Sequence, residues 1–356
     1  MKIKSFRGEY EVVFTDDFYA SLQQTIEDGD ILLIDEKIMH LHAGSLAEFE
    51  SSNRIIVLVA QEVTKSFDAS RELIRKLMDF GFKRNNRLIV IGGGIIQDAA
   101  AFVASVLFRG VEWIFFPTTL LAQGDSCIGS KTSVNFGSFK NLLGGFHPPI
   151  KVFVDANFLN TLDEKEIRSG LGEMLHFFMI GGRNDFELFR DAFPVCFRDL
   201  TAINRLTQRS LEIKKEMIER DEFDLGPRKI FNYGHTFGHA LEGVTDYQIP
   251  HGIAVSYGMD MANKVSVYLG LLDENIAMES RKLLSQIWKN VCFPKINTAD
   301  YMKHLFKDKK NIGNNLNLIL TKDLGDMFMK EVVPDDGFVS VVHSCLTFYR
   351  SESAIF

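Results

Sequence analysis

Arg87-Leu-Ile-Val-Ile91 runs directly into Gly92-Gly-Gly94-Ile-Ile-Gln-Asp98, and this junction decides the fold class. Four apolar residues in a row behind one arginine suit a strand buried on both faces of a parallel sheet. The glycines that follow open a helix. Missing side chains let a backbone approach a phosphate, and a helix N-terminus offers free N–H groups and positive potential. A plain tight turn is the alternative. The spacing is not G-x-G-x-x-G, so the usual dinucleotide fingerprint is not met; the strand-to-helix position is what favours a dinucleotide or phosphate role.

Working outward, the same texture repeats. Ile31-Leu-Leu-Ile34 ends in Asp35, and Arg54–Val59, Val111–Phe116 and Val152–Val154 read as further buried strands. Helical patterns such as Ser66–Phe80 lie between them. Strand–helix alternation predicts a doubly wound, Rossmann-like α/β domain over residues 1–162. From Asp163 the texture changes. Asp163-Glu-Lys-Glu-Ile167 carries acids in a first helical turn. Long helical patterns follow, including Leu200–Arg220 and Ile253–Leu271, so a mostly helical domain is expected over 163–356. The active site is expected in the cleft between the domains.

The 356 residues carry 40 Lys and Arg against 47 Asp and Glu, a net charge of −7 that argues against a general nucleic-acid binder. The basic start MKIKSFRGEYEVVF leads into no signal-length apolar stretch, and no segment approaches the roughly 20 apolar residues of a membrane helix. Cys127, Cys196, Cys292 and Cys345 are scattered without CxxC spacing, which disfavours both a disulfide framework and a thiolate zinc site. A cytoplasmic location is expected. The 31 phenylalanines read first as core and interface filler.

Four further constellations bear on chemistry. Pro117-Thr-Thr-Leu-Leu-Ala-Gln-Gly-Asp-Ser126 follows a strand, with Lys131, Asn135, Lys140 and Asn141 beyond it. Lysines and amides suit an anionic, hydroxylated ligand; a solvated loop is the alternative. Gly234-His-Thr-Phe-Gly-His239-Ala-Leu-Glu242 puts His235 and His239 at i, i+4, and His251-Gly252 follows Pro250. The spacing matches HExxH zinc helices, but Thr236 replaces the glutamate base, which excludes a metalloprotease. Glu173 sits in an apolar helix (Ser169-Gly-Leu-Gly-Glu173-Met-Leu-His176) and needs a partner: a lysine, or a metal shared with His235 and His251 that keeps one position open. Lys214, Arg228 and Asn232 precede the histidines. A continuous helix there would put Arg228, Asn232 and His235 on one face, with Arg228 suited to a carboxylate or phosphate.

Taken together these segments resemble the 3-dehydroquinate synthase and wider sugar phosphate cyclase family. The matching motifs run in order over most of the chain: Glu62 and Lys65, GGGIIQD, Phe108-Arg109-Gly110, PTTLLAQGDS, Lys131, Lys140-Asn141, Glu173, DEFDLGPRKIFNYGHTFGHALE, His251-Gly252 and Asp308-Lys-Lys310. The resemblance implies an NAD-binding first domain and a metal- and substrate-binding second one. It implies Glu173, His235 and His251 as ligands of Zn2+ or Co2+. It places Asp35, Glu62, Lys65, Gly93, Gly94, Asp98, Thr118, Thr119, Asp125 and Lys140 along NAD. It puts Lys131, Asn141, Lys214, Arg228, Asn232, His239 and Lys309 around a small phosphorylated sugar or sugar acid. Arg109 would reach the phosphate in a neighbouring subunit's site of a homodimer. The implied reaction is a transient oxidation of a ring alcohol, loss of phosphate, return of the hydride, ring opening and an intramolecular aldol closure, aided by holding one flexible intermediate in place.

The chain also departs from the family pattern. His176 stands where lysine is usual, three residues after Glu173, and shares its helix face, so it is expected to act at the site or join the metal shell. Ile253 stands for a glutamate, and Gln97 and Ser130 for glycines. Lys214, Arg228, Asn232 and His239 point to the seven-carbon acid substrate of the shikimate pathway. Val134-Asn-Phe136 and Leu143-Gly-Gly-Phe-His-Pro-Pro149 look more like secondary-metabolite cyclases, which act on glucose 6-phosphate or sedoheptulose 7-phosphate. The remaining alternatives are a metal-dependent NAD alcohol dehydrogenase of the related fold and a non-catalytic family member.

Overall fold

A computed structural model describes residues 1–50, 54–137, 139–307 and 315–353. The chain divides into two compact units. One comprises Met1–Leu162 with Lys214–Phe223, the other Asp163–Ile213 with Asp224–Phe356.

The first unit holds strands β1 (Lys2–Ser5), β2 (Gly8–Thr15), β3 (Ile31–Asp35), β4 (Ile55–Leu58), β5 (Leu88–Gly92), β6 (Trp113–Pro117), β7 (Lys131–Phe136), β8 (Phe139–Phe146) and β9 (Lys151–Asp155). Seven of them form one sheet in the order β1-β2-β9-β6-β5-β3-β4. Its pairings are parallel except for the antiparallel edge β1–β2. Every residue of β5 and β6 is buried, which is why these strands read as unbroken apolar runs. Helix Phe67–Asp79 starts where the Ser66 hydroxyl accepts from Ala69 N. Chain order reverses around β3, with β4 on one side and β5 on the other. The carboxyl ends of β3 and β5 therefore flank a topological switch point, where open α/β sheets bind ligands. Those ends carry Asp35 and Gly92. A Cβ on Gly92 would lie 2.7 Å from the Ile96 side chain, so glycine there lets helix Gly94–Val106 sit close on its strand.

Two features were not anticipated. The N-terminal stretch pairs as a hairpin on the sheet edge, and β7–β8 forms a separate two-stranded sheet with an irregularity between Val134 and Phe136. Most of β8 is exposed and two of its residues are glycine, so neither an apolar run nor clean alternation marks it.

The second unit is mostly helical. Asp163 caps helix Glu164–Gly181 in a capping box with Glu166. Helices Arg183–Ala192, His235–Val244, His251–Tyr268, Glu274–Trp288, Thr298–Phe306 and Asp336–Ser353 follow, and helix Leu200–Arg220 contributes its residues up to Ile213. An antiparallel hairpin, β10 (Leu316–Thr321) with β11 (Met327–Val332), joins the helices of the domain expected to be mostly helical. Phe177, Phe178, Phe186 and Phe189 are fully buried here, as are Phe115, Phe116 and Phe158 in the first unit, so phenylalanine is core material in both. Among the described residues, no helix is long and apolar enough to cross a membrane.

Candidate active site

Glycines build the densest chemical cluster of the second unit. A Cβ on Gly172 would lie 2.3 Å from Gly252 O, and one on Gly252 would lie 1.8 Å from Ser169 O. Helices Glu164–Gly181 and His251–Tyr268 therefore cross at backbone contact, which sets Glu173 beside His251. Gly234 (φ +80) turns the chain into helix His235–Val244, and a Cβ on Gly258 would lie 2.0 Å from its carbonyl. His235 is thereby brought to the same carboxylate.

His235 Nε2 lies 3.4 Å from Glu173 Oε1, and His251 Nε2 lies 3.4 Å from Glu173 Oε2. That is longer than an ordinary N–H···O hydrogen bond. It matches the roughly 3.3–3.4 Å expected between two ligands each about 2.0–2.1 Å from a shared tetrahedral ion. One ligand atom from each of the three residues falls within 4.8 Å of the others. Glu173 Oε2 is buried with no hydrogen-bond donor. Both rings are held from behind: His235 Nδ1 is 3.2 Å from Tyr233 O, and His251 Nδ1 is 3.2 Å from Glu242 Oε1. An Nδ1–H donated to each acceptor leaves the Nε2 lone pairs facing Glu173, the usual dress of metal-binding histidines. Burial alone would push the Glu173 carboxyl up; protonated His235, His251 and His176 would outweigh it and hold it well below the usual carboxylate range, the role a cation takes over when the Nε2 atoms are unprotonated. The donor set fits a divalent cation, and among the described residues no lysine pairs with Glu173.

His239 is exposed on the same helix as His235, with ring centroids 5.5 Å apart, and forms a second close group with Glu242 and His251. His176 belongs to neither group of metal-ligand spacing found among the described residues. It is fully buried instead, its ring 4.3 Å from Phe177, 5.7 Å from Phe231 and 5.1 Å from His235, so it backs the site rather than joining the ligand set. Ile253 is core. The single helix face expected for Arg228, Asn232 and His235 does not form. A short turn, Pro227–Asn232, ends at Tyr233, and the left-handed Gly234 starts a new helix. Arg228 is buried, and Asn232 Nδ2 donates to Lys229 O at 3.0 Å. Lys309 lies outside the described residues.

In the first unit the expected cofactor residues assemble into ion pairs. Lys65 Nζ lies 2.6 Å from Asp98 Oδ2, and burial pushes the Asp98 carboxyl up even so. Glu62 accepts from Asn135 Nδ2 at 2.7 Å and meets Lys140 at 3.3 Å. These contacts overcome burial and lower the Glu62 carboxyl. Asn135 Oδ1 in turn accepts from Asn141 N, where φ is +50. Asp35 caps a helix by accepting from Lys37 N, and burial raises its carboxyl. A Cβ on Gly93 would meet the Thr119 methyl at 2.9 Å, Gly94 starts the helix, and Thr118 N donates to Gly92 O. Lys131 is exposed at the start of β7. Arg109 is exposed on a turn where Phe108, Arg109 and Gly110 all have positive φ.

Lys214 and Asp125, expected on different ligands, meet each other: Lys214 Nζ lies 2.7 Å from both Asp125 Oδ1 and Asp125 O. Lys140, expected along NAD, and Lys214, expected to face substrate, thus carry carboxylate partners. Glu242, to which no role was assigned from sequence, is a carboxylate in an apolar helix seven residues past His235, and that is the local feature that marks it.

Residues 55–169 match the family model described as 3-dehydroquinate synthase N-terminal, and residues 170–311 the one described as 3-dehydroquinate synthase C-terminal. The 3-dehydroquinate synthase of a Nitratiruptor species is 36% identical over 292 residues, 81% of this chain and 82% of that one. That of Campylobacter hominis is 32% identical over 333 residues, 93% and 95% of the two chains. Among solved structures, a 2-deoxy-scyllo-inosose synthase complexed with carbaglucose-6-phosphate, NAD+ and Co2+ shares the fold. Its TM-score is 0.84 at 22% identity, covering 97% of this chain and 99% of that one. With both halves of the chain matched in order and relatives above 30% identity over most of its length, this chain belongs to the 3-dehydroquinate synthase family.

Proposed function

We propose that the protein is a sugar phosphate cyclase of the 3-dehydroquinate synthase type, a carbon–oxygen lyase that converts a phosphorylated sugar acid to a carbocycle. The carrying observation is the buried Glu173 facing two Nε2 atoms at 3.4 Å, each ring anchored through Nδ1. Glu173, His235 and His251 hold a divalent cation, zinc or cobalt. A cation held there would supply Lewis acidity toward a substrate hydroxyl, and bound NAD would supply reversible hydride chemistry.

The chain's own groups do the rest. The switch-point crevice between β3 and β5, with Asp35, Gly93, Gly94, Asp98, Thr118 and Thr119 around it, seats NAD, and the Glu62, Lys65 and Lys140 pairs stiffen its rim. Lys131, Asn141, Arg228, Asn232, His239 and Lys309 hold the substrate. Arg228, always cationic, suits its carboxylate in a two-pronged contact. Lys214, neutralised by Asp125, orients rather than adds charge. Residues 1–162 supply the nucleotide site and 163–356 the metal site, and Arg109 serves the partner's site in a homodimer. The cysteines of the structure are free thiols, and burial pushes those of Cys127, Cys196 and Cys345 up to about 12, consistent with a cytoplasmic enzyme that needs no disulfide.

The buried His176 beside His235 supports a second reading, a diverged cyclase acting on glucose 6-phosphate or sedoheptulose 7-phosphate. Phosphate release from purified enzyme with NAD and zinc or cobalt separates the two. Release from the seven-carbon phosphorylated acid alone supports the first, and release only from either sugar phosphate the second. No release from any of the three refutes both.

A further inference from the structure

We propose that Gln97 is a positioning residue: its carboxamide locks the turn that carries Asp125 and, through Asp125, the ammonium of Lys214. The geometry stands by itself; its consequence for turnover rests on the cyclase reading above.

The segment Ala122–Ser126 is a single π-helical turn. So wide a turn leaves its last carbonyls without regular helical donors; Ile128 N approaches Asp125 O at only 3.5 Å. Two buried side chains fill the gap. Gln97 Nε2 donates to Ser126 O at 2.6 Å, while Ser126 Oγ donates to Gln97 Oε1 at 2.6 Å, closing a two-bond ring. Lys214 Nζ donates to Asp125 O at 2.7 Å and pairs with Asp125 Oδ1 at 2.7 Å. Successive carbonyls are thus held by different helices, Asp125 O by Leu200–Arg220 and Ser126 O by Gly94–Val106. Gln123, inside the turn, is tied to Pro117 O and Asp155 O.

Gln97 lies in the first turn and a half of the helix that opens on the glycine cluster, its own N–H donating to Gly93 O. The phosphate-suited helix start and the turn bearing Asp125 are therefore one mechanical body. Releasing Gln97 frees Ser126, lets Asp125 reorient and misplaces the Lys214 ammonium that Asp125 holds. A glycine at position 97, as the family pattern would have it, can make neither bond.

The test compares wild type with Gln97→Leu, which keeps bulk but loses both bonds, and Gln97→Glu, which keeps only the acceptor for Ser126 Oγ. Amide hydrogen exchange over residues 122–128, NAD affinity by fluorescence quenching, and KM and kcat for phosphate release are measured. For Gln97→Leu we expect about tenfold faster exchange in that segment and an about tenfold higher substrate KM, with NAD affinity changed less than about twofold. Gln97→Glu should fall between. Unchanged exchange and KM would overturn the proposal, as would a uniform loss of NAD affinity, KM and melting temperature, which a merely structural role predicts. Absence of phosphate release by the wild type would refute the cyclase reading alone, and the exchange data would still decide the clamp.

Discussion

Substituting Gly252→Ala tests how the metal site is built. The new methyl carbon would sit 1.8 Å from Ser169 O and 2.9 Å from Glu173 N, both backbone atoms of the facing helix. A carbon meets a carbonyl oxygen at about 3.3–3.6 Å, so the helices must part by roughly 1.5–1.8 Å. Overpacking of this kind costs about 1–3 kcal/mol, which lowers the melting temperature by about 3–10 °C for a domain of this size. The effect on the metal is larger. His251 is the neighbouring residue, and ligand distances tolerate only about 0.2 Å. Affinity for zinc should fall by more than the roughly 10–100-fold typical of losing one supporting contact. Zinc affinity is read by competition with a chromogenic chelator, and melting is followed with and without the metal. Gly44→Ala is the control, because nothing lies within 4 Å of a Cβ there. A Gly252→Ala protein that binds zinc as tightly as wild type would show that the glycine crossing does not set the ligand geometry, whatever its melting temperature.

Other consequences follow from the same geometry. Glu242→Ala removes the acceptor 3.2 Å behind His251 Nδ1 and should weaken zinc binding roughly 10–100-fold in the same competition assay, with a smaller loss for Glu242→Gln; equal affinities would remove Glu242 from the supporting shell. His42 packs edge-on against Phe18 and Phe158, and burial lowers its pKa despite Asp155. The unfolded chain therefore takes up a proton below about pH 6.5 that the fold resists, so this contribution to stability is lost as pH falls. His42→Phe should flatten the decline in melting temperature between about pH 7 and pH 5; an unchanged slope would show that His42 does not drive it.

Much of the fold was legible because burial on both faces leaves unbroken apolar runs: β3, β5 and β6 stand where Ile31, Arg87 and Val111 begin those runs. The β7–β8 sheet was not, because β8, mostly exposed and with two glycines, carries no periodic signal. At the site, Glu173, His235 and His251 were named from spacing and family pattern. The crossing of glycines that joins them was not read, since a glycine's close approach depends on a helix distant in sequence. The misplacement of Arg228 relative to His235 traces to Tyr233 and Gly234: helical spacing does not carry across the break, where the first turn ends at Tyr233 and the left-handed Gly234 starts a new helix. The Lys214–Asp125 and Gln97–Ser126 pairs span 89 and 29 positions, and nothing local announces them.

A cyclase of this type eliminates phosphate and returns the hydride it borrows. The most direct measurement follows phosphate release and absorbance of NADH together in one reaction of the zinc-loaded protein, NAD and the seven-carbon phosphorylated acid. Many equivalents of phosphate per enzyme with no net NADH is the predicted result. NADH accumulating in step with turnover, or without phosphate, would contradict it and identify a dehydrogenase instead.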